Sequence, residues 1–432
     1  ANSMPKLDKY LDEVAQKHGK MKKIDQRGTK ALPALNGGKS GGGSIANNVA
    51  TGMLAKDPYE IKMAIGYMNN FAFSCTGAQR WEKAMEQLPF FAHITTNVAE
   101  MTQYADIVLP ARITMFEKWA YVKQKQNRYA HVSLIQPVVE PMWDVRTDET
   151  EIPFLIAEKL KERGFSNLHD CLVKEYKDPE TGLSARTGKE FALYSVKYYT
   201  HPAWSEKGAK MGDKINGWED YRERGVWNSN PYEYKQRWGG KFKTETKKFE
   251  FYSATLKKAL KGHAEKHKTD VDDILKTCNY TAKGELAFVP HYEPPFRHGD
   301  EKAYPFTFID YKSRLNREGR SQNTPWYYEF HKVDFGDESH EDVIQINSTD
   351  ASKLGIKNGD MVKVTSVTGS YMIKAKLWEG IRPGTVAKCY GQGHWAYGKV
   401  GTKEFGKTPR GVNNNEIMPF ETERLSGANV RN

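Results

Sequence analysis

Apolar and polar residues follow two different rhythms along this chain, and the change of rhythm marks its organisation. Ile61-Lys62-Met63-Ala64-Ile65-Gly66-Tyr67-Met68 is an apolar strand candidate that stops at Asn69-Asn70. Trp81, Ala84, Met85 and Leu88 recur at helical spacing and predict a helix with one apolar face. Phe90–Ile94 is a second short apolar strand, closed by Thr95-Thr96-Asn97. Val98–Tyr104 predicts one or two helical turns, and Asp106–Pro110 a third strand. Strand, helix, strand, helix, strand at this spacing predicts a doubly wound α/β unit on a parallel sheet. Ligands bind outside the carboxyl ends of such strands. Asn69-Asn70, Thr95–Asn97 and the segment after Pro110 would then share one edge.

Beyond this unit the rhythm weakens. Ile152–Arg163 predicts a helix, and Tyr194–Tyr198 alternates like an edge strand. The stretch up to Tyr304 is rich in Lys, Tyr and Trp and suggests a surface-exposed insertion or lid. From Pro305 the strand period returns. Phe306–Asp310, Val343–Asn347, Met361–Val367, Tyr371–Leu377 and Thr385–Cys389 are strands separated by tight turns. Pro325–Phe330 suits a short helix with Pro in its first turn. Ser348–Leu354 predicts another, stopped by Gly355. Short strands with brief helices predict a closed β-barrel. The expected division is a connecting segment 1–44, an α/β domain 45–160, the insertion 161–304 and the barrel 305–432.

Composition narrows the class. Tyr 23, Phe 19 and Trp 10 argue for a packed protein rather than a disordered one. No run of about 18 apolar residues is present to span a bilayer as a helix, and Ala1–Pro5 lacks the apolar stretch of a secretory signal. The net charge of +11 invites a nucleic-acid partner. Its Lys and Arg are interleaved with acids, however, and no nucleic-acid signature accompanies them, so a solvated basic surface is expected and no nucleic acid. Cys75, Cys171, Cys278 and Cys389 form no CxxC pair, so no cluster or zinc ribbon is encoded locally. Gly37–Ser44 holds a Gly-Lys-Ser triplet without the phosphate-loop spacing and is expected to be a connection.

Candidate chemistry gathers near the end. Gly391-Gln392-Gly393-His394-Trp395 and Arg410–Ile417, with its run Asn413-Asn414-Asn415, are poor core material. Glycine admits close backbone approach and asparagine offers a donor and an acceptor. Such loops suit a flat, polar ligand, although a turn-rich loop has the same composition, and Trp395 could serve the core.

Tyr104–Ala111 with Phe116-Glu117-Lys118, then Asn127-Arg128, Glu140-Pro141 and Asp144–Asp148, resembles the molybdopterin oxidoreductases of the dimethyl sulfoxide reductase type. Asp342–Gly427 is similar to that family's molybdopterin dinucleotide-binding domain, a double-psi β-barrel. The resemblance covers Ile24–Asp148 and Pro305–Asn432 and is weak between them. It implies two molybdopterin guanine dinucleotides per molybdenum. Asn70 and Thr95 would face one nucleotide, Lys118 a phosphate or ribose, and Asp148 the guanine edge. Many relatives have Asp where Thr95 stands here. Lys312, Arg314, Arg317, Arg320 and Ser321 belong to the loop that would wrap pterin and pyrophosphate, where Arg forms paired bonds to phosphate. His394 and Asn415 would touch the second dinucleotide, while Glu117 and Asn127 would hold the turn beside Lys118.

The [4Fe–4S] motif and the molybdenum-ligating side chain of the family are not located here; Cys75 lies in the wrong segment. No catalytic residue or metal ligand is therefore assigned. The chain is expected to be the C-terminal half of a catalytic subunit, as a fragment or a split-gene product, inactive alone. The resemblance implies the missing half, an iron–sulfur electron-transfer subunit and a membrane anchor as partners, at a periplasmic or membrane-associated location. Reductases of sulfur or arsenic oxyanions are the nearest in look. The alternatives are a non-catalytic dinucleotide-binding module and a formate-oxidising member.

Overall fold

A computed structural model describes residues 7–19, 21–35, 40–112, 116–126, 128–143, 145, 149–231, 242, 244–294, 296–316, 318–329 and 341–428. The strands, in chain order, are β1 (Ala64–Tyr67), β2 (Phe91–Thr95), β3 (Ile107–Pro110), β4 (Ala120–Gln126), β5 (Tyr129–Ile135) and β6 (Val226–Asn228). They continue as β7 (Thr307–Tyr311), β8 (Val343–Ile346), β9 (Met361–Thr365), β10 (Ser370–Leu377) and β11 (Thr385–Cys389). Two compact units interleave along the sequence. One takes Ala1–Met21 and Pro110–Glu250, the other Lys22–Leu109 and Phe251–Asn432. This differs from the four consecutive blocks expected, because composition registers local change and not contact between distant segments.

In the second unit, β1, β2 and β3 form a sheet in that order, with β1 and β2 parallel. The helix Ala78–Glu86 buries Trp81, Ala84 and Met85 against Ala50, Phe91 and Met101, so its apolar face is the one the spacing predicts. Glu100–Tyr104 forms a 3-10 helix within the predicted helical turns. Ile65 and Tyr67 share one face of β1 and stay exposed, and Ile107 and Val108, on opposite faces of β3, are exposed as well.

The same unit contains a five-stranded sheet, ordered β7-β11-β8-β10-β9. The pairs β7–β11 and β8–β10 are parallel, and β8–β11 and β9–β10 antiparallel. Ile344, Tyr371, Ile373, Ala375 and Ile417 form its core, matching the alternation seen in the sequence. The helix Ser348–Leu354 is capped by Asn347 Oδ1, which accepts from Thr349 N at 2.9 Å, and ends at Gly355 with φ 68°.

The middle of the chain is not merely a surface insertion. Leu260, Ala264, Ile274, Leu275 and Phe288 make a buried core with Leu35 and Leu425. In the first unit, β4, β5 and β6 form an antiparallel sheet. Tyr194–Tyr198 is helical, within Gly188–Thr200, and not an edge strand. The deciding signal is a capping box at its start. Thr187 Oγ1 accepts from Glu190 N, and Glu190 Oε2 accepts from Thr187 N. Val196 then packs on Leu134, Ile215 and Tyr221. Among the described residues no helix is long and apolar enough to cross a membrane.

Candidate functional site

After β1 the chain turns through Asn70, the residue before the short helix Phe71–Ser74. The Asn70 amide is engaged at both ends. Its Nδ2 donates to Glu100 Oε2 at 2.7 Å, and its Oδ1 accepts from Met101 N at 3.0 Å. Glu100 opens the 3-10 helix that follows β2 and is fully buried. Its carboxylate also accepts from Trp395 N at 2.9 Å, Ala396 N at 3.2 Å and His394 Nδ1 at 3.0 Å. Burial pushes the Glu100 pKa up, but the donors from His394, Asn70 and Ala396 outweigh it and hold the group below the usual carboxylate value.

His394 is buried as well, and its second ring nitrogen, Nε2, faces the Gly319 carbonyl at 3.0 Å. Both ring nitrogens thus face oxygen atoms that can accept, so the ring is tied at both ends. The ring stacks on Phe73, with centroids 3.6 Å apart and planes at 16°, and lies 4.5 Å from the Tyr397 ring. Asn413 and Asn415 each donate from Nδ2 to the Phe73 carbonyl, at 2.9 and 2.8 Å.

Glycine is needed at two points of this loop pair. Gly391 has φ 83°, and a Cβ there would lie 2.6 Å from Gly319 Cα. Gly393 has φ 90°, and its Cβ would lie 2.3 Å from Asn413 N. A second buried ion pair braces the same loops. Lys388 Nζ lies 2.8 Å from Asp342 and donates to Cys389 O and Val412 O, while Asp342 Oδ2 accepts from Val412 N. Burial drives the Asp342 pKa up, against the pull of Lys388.

The basic loop behaves differently. Arg314 and Arg320 are exposed, and Lys312 pairs with Glu318 at 2.6 Å on the surface. Asn316 ties the loop down, donating to Tyr390 O at 2.6 Å and accepting from Gly319 N at 3.0 Å. Ser321 Oγ donates to Leu315 O at 2.6 Å. Ser313 Oγ and both ends of the Gln322 amide are buried with no hydrogen-bond partner. Buried polar atoms are normally satisfied. Exposed cations beside such atoms fit an anionic ligand with a polar edge.

The structure therefore gathers Asn70, His394 and Asn415 into one network, joined through Gly319 to the loop of Lys312, Arg314, Arg320 and Ser321. Thr95 ends β2, and its hydroxyl donates to Asn97 O at 2.8 Å within its own turn. Lys118 belongs to the other unit, buried in an ion pair with Glu149 rather than presented as an open cation. Asp148, Asn127 and Arg317 lie outside the described residues. Sequence reasoning missed Glu100, Phe73 and Asn316. Glu100 had a usable signal, a carboxylate just past a strand end in a parallel unit. Among the described residues no group of three or more His, Cys, Asp or Glu could hold a metal ion.

Comparison with known proteins follows the same geography. A family model described as the molydopterin dinucleotide binding domain matches residues 321–430. The chain is 55% identical over 435 residues to the arsenate respiratory reductase molybdopterin-containing subunit of Chrysiogenes arsenatis, covering 100% of this chain and 51% of the relative. It is 51% identical over 426 residues to the corresponding subunit of Shewanella sp. strain ANA-3, covering 99% and 50%. The chain thus spans about half the length of the curated relatives it matches. Acetylene hydratase from Pelobacter acetylenicus shares the fold, with TM-score 0.56 at 16% identity over 95% of this chain and 48% of that one.

Proposed function

We propose that the chain belongs to the molybdopterin oxidoreductases of the dimethyl sulfoxide reductase type and is the cofactor-gripping half of a respiratory arsenate reductase. The observation that carries this is identity above one half, along essentially the whole chain, to two arsenate respiratory reductase subunits. The five-stranded sheet is then the double-psi barrel. Arg314, Arg320 and Lys312 hold the pyrophosphate of molybdopterin guanine dinucleotide through charge-assisted bonds. Ser313 and Gln322, now without partners, supply hydrogen bonds to its polar edge. Bound molybdenum supplies two-electron redox chemistry at the oxygen being removed. The overall change is arsenate plus two electrons and two protons to arsenite and water.

The molybdenum ligand and the [4Fe–4S] cluster belong, in this proposal, to a second stretch of polypeptide equivalent to the other half of the relatives. Parallel sheets are normally covered on both faces. The exposed Ile65, Tyr67, Ile107 and Val108 offer that stretch an apolar seat. Electrons arrive from an iron–sulfur partner subunit, and the assembly is periplasmic. The test is dye-linked turnover of the full catalytic subunit with its partner. Oxidation of reduced viologen by arsenate is expected; turnover with thiosulfate or tetrathionate but none with arsenate would overturn the substrate.

A further inference from the structure

Three segments proposed to surround the dinucleotide converge on one ion pair that touches each of them. Glu100 binds Asn70 at the end of β1 and the backbone of Trp395 and Ala396 in the Gly391–Trp395 loop. His394 carries the connection onward to Gly319 in the basic loop. We propose that Glu100 and His394 act as a positioning pair for the dinucleotide site. A buried carboxylate locked to an imidazole that is tied at both ring nitrogens fixes the separation between the strand end and the two loops. This inference rests on the cofactor assignment above and adds two residues that hold the walls rather than the ligand.

The pair is suited to positioning and poorly suited to direct contact. Both ring nitrogens of His394 are engaged, and its ring lies against Phe73 and Tyr397. Glu100 takes hydrogen bonds from four separate N–H groups, three of them on the Gly391–Trp395 side and its continuation. With glutamine at 100, one carboxylate oxygen becomes an NH2 group that faces donors, and the contact to Asn70 or to His394 opens. Loosening of this kind lowers ligand retention even though no ligand-touching group has changed.

The test uses the complete catalytic subunit with its partner, as purified. Guanine nucleotide released by acid is measured per chain for wild type, Glu100→Gln, His394→Phe and His394→Lys. Phenylalanine keeps the stack on Phe73 but has no N–H, whereas lysine can donate to both Glu100 and Gly319. Retention about tenfold lower is expected for Glu100→Gln and His394→Phe, with His394→Lys recovering most of it. If Glu100→Gln does not fold, the contrast of phenylalanine with lysine at 394 decides the matter alone. Equal nucleotide content in wild type and His394→Phe overturns the positioning pair. Wild-type subunit free of guanine nucleotide overturns the cofactor assignment itself, and the pair's role with it.

Discussion

The loops Gly391–Ile417 and the loop Lys312–Asn323 both draw on glycine, amide and basic side chains, yet several of their polar atoms meet opposite fates. In the first, His394, Asn413 and Asn415 are engaged within the chain, and Asn414 Oδ1 is the exception. In the second, Arg320 is exposed and Ser313 and Gln322 bury polar atoms that nothing meets. A saturated network is a frame, because any ligand bond it made would first have to break an internal one. An unsaturated one is a contact surface, because a ligand there relieves a standing desolvation penalty.

The largest effect that could break this contrast is at the hub of the frame. Glu100→Ala removes the acceptor of four N–H groups and leaves the buried His394 ring without its partner. Breaking a buried pair in this way costs about 3–5 kcal/mol, so denaturant unfolding should shift to markedly lower concentration. An unchanged midpoint would mean that the loops are not held through Glu100. In the contact loop the expectation reverses. Arg320→Ala should leave the midpoint in place and reduce nucleotide retention by about tenfold, from roughly 1.5–3 kcal/mol for a charged bond lost. Guanine analysis beside the unfolding curve separates the two outcomes.

Much of the second unit was legible in the sequence for a physical reason. The helix face of Trp81, Ala84 and Met85 and the alternation of β10 are set by local periodicity, and tertiary packing agreed with both. The helix Gly188–Thr200 was misread because five alternating residues fit either period, while the capping box that decides between them lies outside those five. Candidate site residues were chosen by type, and the structure brings Asn70, His394 and Asn415 into one network. Their roles were harder to see, because whether His394 or Lys118 offers a free nitrogen depends on partners such as Glu100 and Glu149, 294 and 31 residues away. No local pattern encodes such a partner.

The pH dependence sharpens the picture at a smaller scale. Glu100 has a folded pKa below its ordinary 4.5, so its contribution to stability is fully present above that value. It is lost as pH falls through the lower folded value. Asp342, whose pKa is raised from 3.8, works in the opposite sense, since its folded form holds its proton to higher pH. Wild type should therefore lose stability below about pH 4.5 with a slope that Glu100→Gln makes shallower, by at most about 1.4 kcal/mol per pH unit. Identical acid limbs for the two proteins would show that Glu100 is not held ionised by its donors.

The smallest effect carries the sharpest sign. Ser313 Oγ is buried without a partner, so Ser313→Ala removes a penalty from the cofactor-free protein and should stabilise it by up to about 1 kcal/mol. The same change deletes a ligand bond, so the cofactor-loaded protein should release guanine nucleotide a few-fold faster. Opposite signs in the two states are what a contact residue must give. A frame residue destabilises both. If Ser313→Ala weakens the cofactor-free protein as Glu100→Ala does, the hydroxyl already serves the frame, and the division between the two loops fails at the residue where it is most exposed to test.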